Sequence, residues 1–393
     1  MNVCIISGVI PPDYTGAGKR AYRHALYLKK KGNLFGIITL TNDRPDGTKG
    51  QEVLNEELIY RISVNLAKDS AIKMLYNILI LNVKILFLLI KNRNKIDIIH
   101  SFGGIRFSWG LVLFSKLHKK QLINEFTLFP DFNKKSSHWS QKHRLRLTLN
   151  NSSHIVCISK RLQEWCNENG IKPSTTVIHN DTDFTPSKKS RVELRKKYLG
   201  EKYSDRSPVL LFLGPKTVRK GFDIVMETFD LLLQDYPNAL LMLLGLSVKT
   251  TKINGKTYNI KNYEEKNLIL DIGLVDNPEP YYQIADIALF PSRREGFGNV
   301  IIESMATKTP VIASRIQGIT DNIITNGIDG FVIDKADNPI EYYNRTKEIL
   351  CNKELFEIIQ KNGVSKVQKH YSTEVIMNQY LELYKKLLAI NDD

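Results

Sequence analysis

Two series of short apolar segments, each alternating with helix-like segments, run through this chain of 393 residues. The first series includes "NVCIISG" and "HIVCIS", and the second opens with "PVLLFLGP" at residues 208–215. Such runs are typical of strands buried in a parallel sheet, and their alternation with helices indicates α/β architecture. The sequence therefore predicts two doubly wound, Rossmann-like domains that face one cleft, with ligands at the carboxyl ends of the strands.

A polar stretch that begins "NDTDFTPSKKSRVE" separates the two series and is typical of a linker followed by a charged helix. We therefore expect an N-terminal domain over residues 1–184 and a C-terminal domain over residues 185–374. Residues 375–393 are expected to form a final helix, which is a candidate for packing back on the N-terminal domain.

Positive charge is concentrated in the first half of the chain. Residues 1–185 carry 27 Lys and Arg against 14 Asp and Glu, whereas residues 186–393 carry 29 against 27. A basic half favours an acidic partner, such as a membrane surface, a phosphorylated lipid or nucleic acid, but a solvated lysine-rich surface explains it equally well.

In residues 71–90, Lys73 and Lys84 leave an uncharged run of only 10 residues, too short to span a bilayer. This segment is either a mostly buried helix or an in-plane membrane contact.

The cysteines and the first residues of the sequence indicate the cellular compartment in which the protein is expected. The four cysteines lack paired spacing, and Cys4 and Cys157 lie in apolar runs, so we expect buried thiols in a reducing compartment. The segment "MNVCIISGVIPP" has neither the basic start nor the long apolar core of a signal peptide. We therefore expect a cytoplasmic protein, with the inner face of the cell membrane as a candidate location.

One stretch of the second half combines the features of an anion-binding site. In "PSRREGFGNVIIESMATKTPVIAS" (291–314), a strand end precedes a glycine turn and a helix start, and seven residues separate Glu295 from Glu303. The N–H groups of a helix start suit a phosphate, while Gly296 and Gly298 let the backbone approach a ligand. Carboxylates placed here can accept hydrogen bonds from sugar hydroxyls. Either glutamate alone is explained as a helix cap or a solvated charge, whereas the pair around Gly-Phe-Gly favours function.

This stretch resembles the Glu-x7-Glu signature of the GT-B glycosyltransferases, in particular the retaining family 4 of the group 1, or glycogen-synthase-like, superfamily. The resemblance extends over nearly the whole chain, through "VIPPDYTGAGKR", "HIVCISKRLQEWCNENGI", "VIHNDTDF", "FLGPKTVRKGFDIVMETF" and "NGIDGFVID". It implies the GT-B fold and the transfer of a sugar from a nucleotide-diphospho-sugar.

The resemblance also implies roles for individual residues. The family glutamate that matches Glu303 binds the donor ribose, and the one that matches Glu295 contacts the donor sugar. The lysine that matches Lys220 holds the diphosphate, where a fixed ammonium stabilises the charge that develops as the sugar–phosphate bond breaks. The implied catalytic residues are Glu295, Lys220 and His100, and the implied donor-binding residues are Gly16, Gly18, Gly214, Lys216, Lys220, Glu295, Gly296, Phe297, Gly298, Asn299, Val300 and Glu303.

The chain departs from the family pattern at several positions. Pro215 stands where the family has an arginine, and the neighbouring Lys216 is a candidate substitute, although lysine cannot form a bidentate fork with phosphate. The histidine that often follows the fourth strand of the N-terminal domain is not evident, and "NEFTLFP" offers Glu125 and Thr127 instead. The Asp-x-Asp sequence at residues 181–183 matches the metal motif of the different GT-A fold, but it lies at the linker, so no metal site is predicted.

The leading hypothesis is a hexosyltransferase-type enzyme that uses a UDP-sugar. Its acceptor would be a saccharide or lipid-linked glycan of surface polysaccharide or glycoconjugate synthesis. No metal or other cofactor and no nucleic-acid partner are expected. Peripheral contact of the N-terminal half with an anionic membrane is expected. The alternative is a non-catalytic nucleotide-sugar or nucleic-acid binding module on the same fold. A nicotinamide dehydrogenase is disfavoured because no G-x-G-x-x-G turn follows a strand.

Overall fold

The computed structural model describes residues 1–8, 10, 16–41, 50–54, 57–63, 71–103, 108–129 and 145–389. The chain divides into two compact units, of which the first comprises Met1–Asn180 with Ile376–Asp393 and the second comprises Asp181–Val375. The divisions fall close to the boundaries expected from the sequence, at 184/185 and 374/375. Among the described residues, no helix is both long enough and apolar enough to cross a membrane.

The first unit is built on an eight-stranded sheet. Its strands are β1 (Val3–Ser7), β2 (Leu34–Thr41), β3 (Gly50–Leu54), β4 (Glu57–Ser63), β5 (Ile98–Phe102), β6 (Gln121–Phe126), β7 (His154–Cys157) and β8 (Thr175–Val177). Its helices before residue 180 include α1 (Gly16–Lys30), α2 (Ala71–Lys91), α3 (Ser108–His118) and α4 (Lys160–Glu168). The strand order is β3-β4-β2-β1-β5-β6-β7-β8, and the pairs are parallel except β3 with β4.

The second unit has a six-stranded parallel sheet in the order β13-β10-β9-β14-β15-β16 and a separate antiparallel pair, β11 with β12. The strands are β9 (Val209–Leu213), β10 (Leu240–Leu244), β11 (Thr250–Ile253), β12 (Lys256–Asn259), β13 (Ile269–Gly273), β14 (Ile287–Phe290), β15 (Val311–Ser314) and β16 (Phe331–Ile333). The helices are α5 (Arg191–Leu199), α6 (Glu201–Ser204), α7 (Phe222–Asp235), α8 (Ile260–Glu265), α9 (Glu279–Ile284), α10 (Asn299–Ala306), α11 (Thr320–Ile323), α12 (Pro339–Cys351) and α13 (Lys353–His370). A last helix, α14 (Thr373–Ala389), carries the chain back into the first unit.

Both faces of the first sheet are covered. Val3 and Ile5 of β1 belong to an apolar cluster with α1 and α14, whereas Cys4 and Ile6 belong to a cluster on the other face with α2 and α3. Successive side chains of a strand point to opposite faces, so a strand buried on both faces is a continuous apolar run. This is the pattern from which the two-domain α/β architecture is predicted, and the prediction is confirmed. The strands β3, β4, β11 and β12 are not predicted from the sequence, because polar residues interrupt their apolar ones.

Candidate functional site

The candidate site of the second unit begins where β9 ends. Gly214 follows the strand with φ of +143°, in the region that favours glycine. A Cβ at Gly214 would lie 3.5 Å from Cε of Lys220, so the lysine chain runs across this glycine. Lys220 itself ends a short 3-10 helix, Val218–Lys220, and precedes Gly221. The sequence thus places one ammonium group over the carboxyl end of a central strand.

Glu295 joins this ammonium from the end of the neighbouring strand β14. Nζ of Lys220 lies 2.7 Å from Oε1 of Glu295, and Nη1 of Arg219 lies 3.3 Å from the same oxygen. Nζ of Lys220 is also 5.4 Å from the centre of the Phe290 ring. Glu295 and Lys220 are mostly buried, whereas Arg219 is exposed. Because two cations share one carboxylate, the cluster keeps an excess of positive charge.

Arg293 holds the two loops of the site together. Its Nη1 and Nη2 donate to Oδ1 and Oδ2 of Asp223, at 2.8 and 2.7 Å, and Nη1 also donates to the carbonyl of Val218 at 2.6 Å. The backbone N–H of Arg293 donates to the carbonyl of Arg219 at 2.9 Å. The hydrogen bonds to Asp223 raise the pKa of Arg293. A bidentate pair fixes orientation as well as distance. Together with the bonds to the Val218 and Arg219 carbonyls, this pair ties residues 218–223 to the 291–295 segment.

Helix α10 starts directly behind this pair. Gly296, Phe297 and Gly298 are buried, and the ring of Phe297 lies 6.0 Å from that of Tyr371. Gly298 is the N-cap residue, and its carbonyl accepts from Ile301 N–H at 2.9 Å. The first-turn N–H groups of a helix face outward from its start and carry partial positive charge. The backbone N–H groups of Asn299 and Val300 lie in this first turn, as the sequence predicts.

Glu303 lies in the second turn of α10 and receives a hydrogen bond that sequence analysis misses. The hydroxyl of Tyr282, from α9, donates to Oε2 of Glu303 at 2.7 Å. Tyr282 is fully buried, and burial, followed by the charge of Glu303, raises its pKa well above the usual value. Its ring also lies 6.1 Å from that of Phe184. The carboxylate of Glu303 therefore has one orientation imposed by a rigid neighbour, a role that the sequence "EPYYQI" does not signal.

Lys216 has a different environment from the one expected. Its side chain is almost fully buried, and Nζ donates to the carbonyl of Leu246 at 2.8 Å and to Oδ1 of Asp271 at 3.3 Å. Burial lowers the pKa of Lys216, and Asp271 opposes this effect. The ammonium is thus engaged by Asp271 in the middle of β13 and by the Leu246 carbonyl after β10, which argues against its standing in for the family arginine. Arg219, whose position is not predicted from the sequence, is an exposed cation beside Lys220.

His100 lies in the core of the first unit. It lies in the middle of β5 with no exposed surface, and its Nδ1 is 2.6 Å from the hydroxyl of Tyr384 of α14. Its Nε2 is 3.4 Å from Oε1 of Glu125, and this oxygen also accepts from the Tyr380 hydroxyl at 2.5 Å. The other carboxylate oxygen of Glu125, Oε2, pairs with Arg20. Burial, together with the charges of His24 and Arg20, lowers the pKa of His100 well below its usual value. These contacts are those of a core residue and give no support to the expected catalytic role of His100, which stays a prediction.

The remaining predicted positions are only partly described. Gly16 and Gly18 form the first turn of α1, where Gly16 is exposed and Gly18 is buried, but the rest of the predicted glycine loop, residues 11–15, lies outside the described residues. Asp181 is buried and accepts from the hydroxyl of Thr373 at 2.7 Å. Over the part of the chain that the structure describes, no cluster of three His, Cys, Asp or Glu could hold a metal ion.

Comparisons with known proteins agree with this architecture. The family model "Glycosyl transferases group 1" matches residues 199–366, and "Glycosyltransferase Family 4" matches residues 14–184. The capsular polysaccharide biosynthesis glycosyltransferase CapM of Staphylococcus aureus is 26% identical over 60% of this chain and 62% of its own length. The N-acetyl-alpha-D-glucosaminyl L-malate synthase of Bacillus anthracis is 23% identical over 76% and 77%. The first curated relatives are thus matched over about three fifths of their length.

Solved structures show the same fold. Sucrose-phosphate synthase from Thermosynechococcus elongatus superposes with a TM-score of 0.75 at 19% identity, covering 99% of both chains. Anabaena Alr3699/HepE in complex with UDP and glucose gives a TM-score of 0.71 at 17% identity, covering 98% of this chain and 99% of that one.

Proposed function

Because this chain belongs to the GT-B glycosyltransferases of family 4, the group 1 superfamily, we propose that it transfers a sugar from a nucleotide-diphospho-sugar to a saccharide or lipid-linked glycan, with retention at the anomeric carbon. The observation that carries the proposal is the Lys220–Glu295 pair, 2.7 Å apart beside the start of α10. It joins a cation, a carboxylate and a helix start at the carboxyl ends of two adjacent strands, the usual ligand position of such sheets.

The charges of this cluster suit a diphosphate leaving group. In the proposed transfer, the acceptor oxygen bonds to the anomeric carbon as the bond from that carbon to the diphosphate oxygen breaks, and the acceptor proton passes to the diphosphate. Negative charge therefore grows on the diphosphate in the transition state. Lys220, Arg219 and the first-turn N–H groups of α10 supply fixed positive charge there, which costs no reorganisation during the reaction.

Glu303 and Glu295 would hold the two ends of the donor. A carboxylate accepts two hydrogen bonds from a vicinal diol, so Glu303, oriented by Tyr282, is suited to the ribose. Glu295, which bridges Lys220 and Arg219, is suited to a hydroxyl of the transferred sugar. UDP is the proposed nucleotide, and the solved structure of HepE with UDP and glucose supports this choice at the level of the fold.

The acceptor is proposed from the relatives. CapM is named for capsular polysaccharide biosynthesis, and a Rhizobium meliloti relative at 26% identity is named a lipopolysaccharide core biosynthesis glycosyltransferase. We therefore propose a glycan of the cell surface, or its lipid-linked precursor, as the acceptor. We also propose transfer without a metal ion, since Lys220, Arg219 and the start of α10 supply positive charge.

A ligand screen followed by a transfer assay tests the proposal. The thermal unfolding temperature should rise with one class among UDP-, GDP-, ADP- and TDP-sugars, because a ligand that binds only the native state stabilises it by mass action. The same donor should be consumed in the presence of a lipid-linked saccharide and excess EDTA. A chain that binds the donor but neither hydrolyses nor transfers it would instead be a binding module. Activity that is lost in EDTA and restored by Mn²⁺ would contradict metal-free transfer.

A further inference from the structure

Helix α2 presents three different faces. Leu81, Ile85 and Leu89 point into the apolar cluster beneath the sheet. A second face carries apolar side chains that are exposed to solvent, namely Leu75, Tyr76, Leu79, Val83 and Phe87, and Phe87 is 71% exposed. At about 100° per residue, these five fall within an arc of about 120° on the side away from the core. Lys73, Lys84 and Lys91 follow at the edge of this arc.

Helix α3 continues the same apolar surface. Trp109, Leu113 and Leu117, spaced four residues apart, form an exposed ridge. The two helices cross closely at Gly110, where the N–H donates to Oδ1 of Asn82 at 3.0 Å and a Cβ would lie 2.8 Å from the Asn82 carbonyl.

The two exposed ridges lie on the same outer side. Both helices connect parallel strands of one sheet, so they run in the same direction. Asn82 lies at one edge of the exposed arc of α2, and Gly110 lies at the opposite edge of the exposed arc of α3. When two parallel helices touch at these edges, the exposed arc of each one points away from the sheet on the same side. We call this surface, formed by Leu75, Tyr76, Leu79, Val83, Phe87, Trp109, Leu113 and Leu117, the outer α2–α3 face.

The charge around this face is nearly all of one sign. Residues 71–124 contain nine Lys and Arg but a single acidic residue, Asp97. Lys84 and Lys91 border the apolar arc on α2, and exposed Lys116 and Lys119 lie at the end of α3. An apolar face bordered by lysines is the pattern of helices that lie in the plane of a membrane interface.

We propose that the outer α2–α3 face docks on an anionic phospholipid bilayer, with Phe87, Leu79 and Leu117 entering the headgroup–acyl boundary. A second copy of the chain is disfavoured as the occupant, because two surfaces with this charge would repel each other. Lipid phosphates complement the lysines instead, and each basic residue near such a surface strengthens binding by about fivefold. The proposal does not depend on the proposed transfer, and vesicle binding is measured without any donor.

Co-sedimentation with vesicles tests the proposal. Wild-type protein should bind vesicles of phosphatidylcholine with phosphatidylserine at low salt, bind vesicles of phosphatidylcholine alone at least tenfold more weakly, and be released as salt rises. The double variant L79E/F87E should lose binding by more than tenfold. The matched control V192E/I340E changes two exposed apolar residues of α5 and α12, 64% and 57% exposed, and should bind as wild type does. Circular dichroism and thermal unfolding confirm that each variant is folded.

A second pair of variants separates charge from insertion. K84Q/K91Q should weaken binding to anionic vesicles and reduce its salt dependence, while it leaves α2 apolar. The proposal is overturned if wild-type protein stays in the supernatant at low salt, or if folded L79E/F87E binds as well as wild type. Self-association in sedimentation velocity that disappears in L79E/F87E, without vesicle binding by wild type, would assign the face to a second copy and also overturn it.

Discussion

At the scale of single residues, the candidate site is defined by partners rather than by residue type. Lys216 and Lys220 are four residues apart and equally basic in sequence, yet one is tied to buried Asp271 and the other to Glu295 beside a helix start. The side chain of Lys216 is 1% exposed and that of Lys220 is 14% exposed, so the ammonium of Lys220 is the more open of the two to a ligand. The difference supports the proposal that Lys220, with Arg219, is the cation that meets the donor.

The first prediction concerns Lys220. Lys220→Ala should lower kcat by about 10²–10³-fold, because a preorganised positive charge facing a developing anion acts mainly in the transition state. Arg219→Ala should lower kcat less, since its exposed side chain is screened by water. Steady-state kinetics with the identified donor gives the comparison, and Lys256→Ala, at an exposed lysine that pairs with Glu227, is the control. An unchanged kcat in Lys220→Ala would remove this cluster from the mechanism.

The second prediction concerns donor binding by Glu303. Glu303→Gln should raise the donor KM by about 10–100-fold, the usual range for a hydrogen bond to a charged group, with a smaller effect on kcat. Tyr282→Phe should raise KM in the same direction by a smaller factor, because Glu303 loses its fixed orientation. Tyr281→Phe, one residue away on α9, is the control. If Tyr282→Phe changes kcat and leaves KM as it was, the ribose assignment fails.

At the scale of elements, two loops form one rigid unit. The 218–221 turn and the 291–295 segment follow β9 and β14, which are neighbours in the sheet, and Arg293 links them through Asp223 and Val218. The backbones also approach so closely that no side chain fits between them at Gly221. This close approach brings Lys220 to Glu295.

The third prediction uses this approach. Gly221 has φ of +69°, and a Cβ there would lie 2.0 Å from the carbonyl oxygen of Pro291, a backbone atom that cannot simply rotate away. Gly221→Ala should therefore destabilise the protein by more than about 3 kcal/mol, beyond the ~1 kcal/mol typical of alanine at positive φ. Gly327→Ala is the matched control, since Gly327 has φ of +76° but nothing within 4 Å. Urea unfolding of both variants measures the difference, and equal losses would contradict the close approach.

At the scale of the whole molecule, the last helix completes the core of the first unit. Ile376, Met377 and Tyr380 of α14 belong to the same apolar cluster as Val3 and Ile5. Tyr380 and Tyr384 also contact Glu125 and His100 in the middle of the sheet. A buried polar network of this kind is stable only when its members keep their partners, so α14 is an integral part of this unit.

The fourth prediction is the pH dependence that follows. Burial lowers the pKa of His100 in the folded protein. As the pH falls below about 6.5, His100 therefore becomes protonated in the unfolded chain while it stays neutral in the folded protein. Stability should therefore fall as pH decreases from about 7.5 to 5, by up to ~1.4 kcal/mol per pH unit for each such histidine. His154 and His179, whose pKa values burial also lowers, act in the same direction.

The slope of stability against pH tests this, measured by urea unfolding. His100→Gln should make the slope shallower by about one proton, whatever its effect on the absolute stability. His370→Gln, at an exposed histidine, is the control. A slope in His100→Gln equal to that of wild type would mean that His100 takes up no extra proton on unfolding. His24, Arg20, Glu125 and Tyr384 face His100 and stay unchanged in this comparison.

The sequence by itself determined the two-unit α/β fold and the position of most strands along the chain, because short continuous apolar runs that alternate with helices are typical of parallel sheets covered on both faces. It also determined the strand–turn–helix unit around Glu295 and Glu303, since glycine spacing and helix start are local features. It could not determine which cations meet Glu295, that Tyr282 orients Glu303, or that α14 covers His100. These contacts join residues 21 to 284 positions apart. Only the tertiary structure decided them, because burial and pairing depend on which elements become neighbours.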